Sequence, residues 1–233
     1  MDIKTIEMIS TTQKIFDDFN GFIISDDRKV FQKLVARTLI YNKVKNITGD
    51  ILECGVFKGS GLYTFLKLKE VLNPNSIKKV VGFDMFDTFQ LLSTINDEVQ
   101  RKTMDTLFQG RNFEHNSDYK LYLEQNLKGH GFKQTDFELV KGDISITSKK
   151  YVDDNPGLKI SILYIDLDLE VPTYNTLVNL WDYVSIGGIV VFDEYAHSKW
   201  SESIGVDRFL KERGLKVKNL NFIAPTAYII KSF

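Results

Sequence analysis

Two acidic clusters, Asp166-Leu-Asp168 and Asp193-Glu194, close two apolar runs and are separated by one helix's length of chain. Carboxylates crowded together repel one another unless a cation or captured protons relieve them, so the pattern points to a hard metal ion or to a general base. The runs that carry them, Ile160 to Ile165 and Gly188 to Phe192, have the length and β-branched content of buried parallel strands. Between them Tyr174, Leu177, Val178 and Trp181 recur at helical spacing. A strand, helix, strand unit sends both strands the same way. The two clusters therefore emerge side by side at the carboxyl edge of one sheet, where open α/β folds bind ligands.

A second segment able to do chemistry is Ile51-Leu-Glu-Cys-Gly-Val-Phe-Lys-Gly-Ser-Gly61, a strand running straight into a helix. Gly55, Gly59 and Gly61 let the backbone turn sharply and approach a ligand, while the helix start offers free amides and a positive dipole end to an anionic group. Asp84 closes the next strand some twenty-odd residues beyond the loop, placed to accept from ribose hydroxyls; the alternative is a solvated Asp in a structural turn. Asp143, after Gly142 at the third strand's end, has two readings: an acceptor for the exocyclic amine of an adenine, or a cap for the helix starting near Ser145. His197 follows Asp193-Glu-Tyr195 on a loop expected to face the pocket, where it could orient a substrate or share base duty. Tyr195 and Trp200 suit stacking on a sugar face or core packing equally, and His115 and His130 read as loop residues. Cys54 lies inside an apolar strand and reads as a small buried thiol.

The elements that must position these residues alternate along the chain. Residues 29–41 carry an apolar stripe at helical spacing and belong to a helical N-terminal extension over 1–48. Strands are expected at Asp50–Cys54, Lys79–Asp84, Phe137–Lys141, Ile160–Asp166, Gly188–Asp193, Lys216–Leu220 and Ala227–Lys231. Helices are expected at Ser60–Leu72, Tyr119–Lys128, Ser145–Tyr151, Thr173–Val184 and Ser201–Glu212. That order predicts an α/β fold with a doubly wound, mostly parallel seven-stranded sheet, its last strand, after Pro225, entering antiparallel. Residues 86–118 break the rhythm: polar and weakly periodic, they leave the carboxyl end of the second strand beside the ligand crevice and read as a lid or as an inert surface excursion.

The chain of 233 residues, with 43% hydrophobic side chains, suits one well-buried α/β domain. Thirty Lys and Arg against 31 Asp and Glu give a formal charge of -1, no footprint for nucleic acid or an anionic membrane. No apolar run approaches the roughly 20 residues that span a bilayer, and the charged start lacks the core of a signal peptide, so a cytoplasmic protein is expected.

The motifs, taken together, also carry a resemblance. Glu53 to Gly61, Gly82-Phe-Asp-Met-Phe86, Lys141-Gly-Asp143, Asp166-Leu-Asp-Leu-Glu-Val-Pro-Thr173, Ser185-Ile-Gly-Gly188 and Asp193-Glu-Tyr195 resemble, in order and spacing, the macrocin O-methyltransferase family, over roughly Asn46 to Leu210. The resemblance implies a Rossmann-like class I methyltransferase that uses S-adenosylmethionine and magnesium to methylate a hydroxyl, commonly on a deoxysugar. It implies that Glu53, Gly55, Val56, Phe57 and Ser60 border the methionine half of the cofactor. Asp84, with Met85 beside it, would hold the ribose, and Gly142, Asp143 and Ile144 would flank the adenine. Asp166, Asp193 and Glu194 would bind the metal. Two departures stand out: Glu194 replaces the second Asp of the commoner Asp-Asp-Tyr pattern, and Asp168-Leu-Glu170 replaces Asp-Leu-Tyr.

The sequence is thus read as a magnesium- and S-adenosylmethionine-dependent O-methyltransferase acting on a sugar hydroxyl, nucleotide-linked, polysaccharide-bound or in a natural-product glycoside. Asp166 is the first candidate for the base, with Asp168 and His197 as rivals. A nicotinamide-dependent oxidoreductase shares the sheet and the acidic ribose position but has no use for the acidic clusters. A cofactor-binding protein without catalysis and a catechol-type acceptor are further alternatives, and a homo-oligomeric assembly is left open.

Overall fold

A computed structural model describes residues 3–113 and 119–232, with side chains from Thr11 onward; His115 and Asp118 lie outside the described residues. The chain opens with helices α1 (Ile3–Ile24) and α2 (Arg28–Val44), then alternates β1 (Asp50–Cys54), α3 (Ser60–Leu72), β2 (Val80–Asp84), α4 (Thr88–Thr94), α5 (Glu98–Gly110), α6 (Tyr119–Gly129), β3 (Phe137–Lys141), α7 (Ile144–Asp154), β4 (Ile160–Ile165), α8 (Glu170–Leu180), β5 (Val184–Phe192), α9 (Glu202–Arg213), β6 (Lys218–Asn219) and β7 (Ala227–Ile230). The strands form one seven-stranded sheet in the order β3-β2-β1-β4-β5-β7-β6. β1 to β5 are parallel, and β7 pairs antiparallel with both β5 and β6.

Alternation along the strands sorts side chains onto two faces. Leu52, Cys54, Val81, Phe83, Leu163, Ile165, Val190 and Phe192 pack toward α7, α8 and α9. Ile51, Val80, Ile162, Tyr164, Ile189 and Val191 pack toward α2, α3 and α6. Cys54 is fully buried, as expected, and burial pushes its thiol well above the ordinary range.

Register sets the site. Cys54 pairs with Phe83 and Ile165, and Ile165 with Phe192, so the next residues, Gly55, Asp84, Asp166 and Asp193, line up along the carboxyl edge. Strand order reverses between β1 and β4, and the crevice at such a switch point is where doubly wound sheets bind ligands.

Four expectations need correction. The weakly periodic segment after β2, for which no helix was expected, carries two: Asp87 and Asp97 cap them by accepting from the Gln90 and Gln100 amides at 3.0 and 2.8 Å. The helix expected over Thr173–Val184 starts earlier, at Glu170, because Pro172 falls in its first turn, where a missing N–H costs nothing. It also stops earlier, giving way to a 3-10 turn at Trp181–Tyr183, and β5 begins at Val184 rather than Gly188. Finally, the strand expected at Lys216–Leu220 is only two residues long.

Candidate active site

A cavity of about 910 Å³ opens along the switch point. All the residues singled out for the cofactor line it: Glu53, Gly55, Val56, Phe57 and Ser60 from the β1–α3 turn, Asp84 and Met85 after β2, and Gly142, Asp143 and Ile144 after β3. The β1–α3 turn requires glycine for steric reasons. Gly55 has φ +92°, and a Cβ there would lie 1.9 Å from the Asp166 carbonyl oxygen. Gly61 leaves room for Glu53, whose Oε1 would be 1.6 Å from an added Cβ.

Asp84, half-buried at the cavity wall, is not idle. Its Oδ2 accepts from the Val56 and Phe57 amides at 2.8 and 3.0 Å, and its Oδ1 from the Phe86 amide at 2.8 Å. Phe57 and Phe86 both hold left-handed backbone, φ +50° and +49°, a conformation that costs an aromatic residue energy unless its surroundings enforce it. One carboxylate therefore pins two strained turns that border the cavity. Burial raises its pKa, and the three amides oppose that rise. Asp143 takes the capping role, accepting from the Ser145 amide at 2.9 Å at the start of α7 while still lining the cavity.

On the other side of the crevice the acidic tips do converge. Asp166 Oδ2 and Asp193 Oδ2 lie 3.2 and 2.6 Å from the same atom, Lys33 Nζ of α2. Asp193, fully buried, also accepts from the Tyr164 hydroxyl at 2.6 Å. Glu194 pairs with Lys29 at 2.8 Å, and Glu53 lies 3.6 Å from the Arg37 guanidinium, which stacks over the Tyr164 ring. Asp168, left-handed at φ +61°, lines the cavity beside Asp166.

Burial, then mutual repulsion, governs the acidic groups. Desolvation raises the pKa of Asp166, with Asp193 adding to it and Lys33 opposing. Desolvation holds Asp168 well above the carboxylate range, with Asp166, Glu194 and Asp193 adding repulsion. Glu53 is pushed up to about 8 by burial, against the pull of Arg37. Burial works against the Lys33 ammonium, yet Asp166 and Asp193 outweigh it and hold its pKa above the usual lysine value. These groups suit a carboxylate base tuned toward neutrality.

Several participants escaped the sequence reading. Lys29, Lys33 and Arg37 fall at i, i+4 and i+8, one face of α2, a spacing that is visible in the sequence once a partner is suspected. Glu202, fully buried, accepts from the Glu194 amide at 3.1 Å, and burial followed by repulsion from Asp168 keeps its pKa well above normal. His197 stands beside the acidic group, 3.9 Å from Glu194, but is not among the cavity-lining residues. Tyr195 likewise points away, to Asp207 at 2.8 Å, whereas Trp200 does line the cavity.

Magnesium takes oxygen ligands in a near-octahedral shell, and these carboxylates supply that chemistry. Glu194 Oε2 is buried with no hydrogen-bond partner among the described residues, as a ligand awaiting a cation would be. No three His, Cys, Asp or Glu among the described residues are arranged to share one ion, and the Lys33 ammonium lies between Asp166 and Asp193.

The profile of the macrocin-O-methyltransferase (TylF) family matches residues 28–229. The chain belongs to the macrocin-O-methyltransferase family. Among proteins of known activity it is similar to the 8-demethyl-8-(2,3-dimethoxy-alpha-L-rhamnosyl)-tetracenomycin-C 4'-O-methyltransferase of Streptomyces olivaceus, 26% identical over 153 residues. That match takes in 64% of this chain and 54% of the relative, so the chain spans about half the relative's length. Among solved structures it resembles CalS11, a TDP-rhamnose 3'-O-methyltransferase of calicheamicin biosynthesis, at TM-score 0.69 and 27% identity over 99% of both chains. The O-methyltransferase NovP shares the fold at TM-score 0.66 and 19% identity, over 86% of this chain and 80% of its own. The macrocin-O-methyltransferase family assignment and the Rossmann-like, mostly parallel sheet thus both agree with what the motifs implied. No helix of the described residues is long and apolar enough to cross a membrane.

Proposed function

We propose that this protein is an S-adenosylmethionine- and magnesium-dependent O-methyltransferase acting on a hydroxyl of a sugar, with a nucleotide-linked deoxysugar as the first acceptor to test. The observation that carries the reading is the convergence of Asp166 and Asp193 on one point beside the Gly55 turn. Similarity to a TDP-rhamnose methyltransferase along nearly the whole chain supports the acceptor class.

S-adenosylmethionine supplies a sulfonium methyl that an oxygen takes in line, so the protein's task is chiefly positioning. Magnesium would supply a Lewis acid that lowers the acceptor hydroxyl's pKa and fixes the oxygen. Asp166, Asp193 and Glu194 would hold the ion. Glu53, Gly55, Val56, Phe57 and Ser60 would border the methionine moiety. Asp84, whose oxygens already hold three amides, would shape the ribose pocket together with Met85. Gly142, Asp143 and Ile144 would flank the adenine. Asp166, at the cavity wall with a raised pKa, would take the hydroxyl proton, with Asp168 beside it as its rival. His197, off the cavity wall, would orient the loop after Glu194 rather than meet the acceptor.

The test is formation of S-adenosylhomocysteine from S-adenosylmethionine with TDP-deoxysugars and rhamnosylated natural products, with magnesium and with EDTA. Turnover that needs magnesium, and that falls about a hundredfold or more in Asp166→Asn, is the expected result. Undiminished turnover in both Asp166→Asn and Asp168→Asn would rule out the base assignment. Tight binding of a nicotinamide dinucleotide with no affinity for S-adenosylhomocysteine would overturn the whole reading.

A further inference from the structure

Helix α2 carries a basic residue on each of three successive turns of one face, and each meets a carboxylate of the strand tips: Lys29 with Glu194, Lys33 with Asp166 and Asp193, Arg37 with Glu53. The three are not equivalent. Arg37 is almost wholly buried, with its guanidinium over the Tyr164 ring as well as beside Glu53, and is held on two sides. Lys33 is a compact charge on a flexible four-carbon stem; its side chain keeps 22% of its exposure and lines the cavity, so it has open space to withdraw into. Asp193, in contrast, has none: it is fully buried and tied to Tyr164. The ammonium therefore stands between the two carboxylates with room to move, which Asp193 lacks.

We propose that Lys33 is a tethered counter-cation for Asp166 and Asp193 that a divalent ion must displace, so that α2 sets the metal affinity of the site. An ammonium and a divalent cation cannot occupy the same place between Asp166 and Asp193, and held side by side they repel one another. The bare carboxylate pair would in turn be costly to bury without any cation. Lys33 thus stabilises the metal-free protein and lowers the apparent affinity for the ion, which enters only as the lysine swings into the cavity. This proposal rests on the reading of the site as one that binds a divalent ion.

The experiment titrates Mn²⁺ into the full-length protein and follows the free ion by electron paramagnetic resonance, with Mg²⁺ competition, for wild type, Lys33→Met, Lys33→Gln and Lys33→Arg. Lys79→Met serves as a control for loss of one positive charge, since Lys79 pairs with Glu138 on β3, away from the acidic tips. Lys33→Met and Lys33→Gln are expected to bind Mn²⁺ about tenfold or more tightly than wild type, with Lys33→Arg showing no gain and Lys79→Met behaving as wild type. A merely structural lysine would give weaker or unchanged binding on removal. Wild-type affinity in both neutral variants overturns the role of Lys33 while leaving the metal reading intact. Absence of binding in every protein overturns the metal reading, and this proposal with it. Near-UV circular dichroism identifies folded variants, and Lys33→Gln, which keeps a polar end, carries the comparison if Lys33→Met does not fold.

Discussion

At the scale of single residues, two carboxylates of the β1–β2 edge, one half-buried and one fully buried, do work that can be separated by measurement. Asp84 accepts three backbone amides and holds Phe57 and Phe86 in left-handed backbone. An Asn at this position loses the charge and presents an NH₂ where an acceptor is needed. Asp84→Asn should therefore cost about 2–3 kcal/mol, the worth of a charge-assisted hydrogen bond made at a buried site. It should also weaken S-adenosylhomocysteine binding; denaturant melts and calorimetry check the two effects. Glu53 is different, because burial pushes its pKa from 4.5 up to about 8. A folded-state pKa above the unfolded value means the native protein binds the proton more tightly, so the associated stability is fully present below the unfolded pKa of 4.5 and is lost as pH rises through 8. Within that window one such group changes stability by up to about 1.4 kcal/mol per pH unit. Glu53→Gln mimics the protonated form. It should match wild type in unfolding free energy below about pH 4.5 and exceed it increasingly up to about pH 8, above which the gap stays constant; parallel curves throughout would show that burial does not raise the Glu53 pKa.

At the scale of elements, what the sequence disclosed and what it withheld have physical reasons. The strands were legible because β-branched runs end in Gly or Asp at β1, β2, β4 and β5, and the acidic tips followed from register alone. The insert helices were missed because polar side chains break any apolar stripe there, which left the segment weakly periodic. Their caps were nevertheless written in the chain, as Asp87-Thr-Phe-Gln90 and Asp97-Glu-Val-Gln100, an Asp three residues before a Gln in each. Met104 and Phe108 supply the only buried positions on α5, too few to show as a stripe. The basic face of α2 was illegible for another reason. Lys33 lies 133 residues from Asp166, and no local pattern reveals a pairing that only the closed sheet creates. The glycine turn was legible as a type of site but not as a steric necessity. Gly55→Ala would drive a Cβ into the Asp166 carbonyl at positive φ, so it should cost about 3 kcal/mol or more. Gly110→Ala, at the end of α5 with nothing within 4 Å of its new Cβ, should instead gain about 0.5–1 kcal/mol. Urea midpoints of the two variants report the contrast.

At the scale of the whole molecule, apolar contacts divide unevenly. Two large clusters flank the sheet, while a third, of Ile95, Met104, Phe108 and Leu169, lies under the α4–α5 insert with Phe57, Phe113 and Trp200 packed on it. Phe57 belongs to the β1–α3 turn at the cavity wall, and its ring lies 4.6 Å from that of Phe113. Among the polar bonds that fasten the insert are Ser201 to Gln100 at 2.8 Å and Lys58 to the Arg111 carbonyl at 2.6 Å. A small separate cluster should open at lower free energy than the sheet, as an insert that admits and releases ligands would have to. Amide hydrogen exchange should therefore be much faster across Thr88–Gly110 than in β1, β4 and β5, and S-adenosylhomocysteine should slow it there first, through Phe57. Truncations should separate in the same way. Phe209→Ala, at a fully buried position in the main core, should show the full cost of about 3–5 kcal/mol in global unfolding. Phe108→Ala should move the global midpoint less while accelerating exchange throughout the insert and raising the acceptor KM several-fold. Equal losses of global stability in both variants, with exchange in the insert no faster than in the sheet, would mean that the insert unfolds only with the whole molecule and cannot serve as a lid.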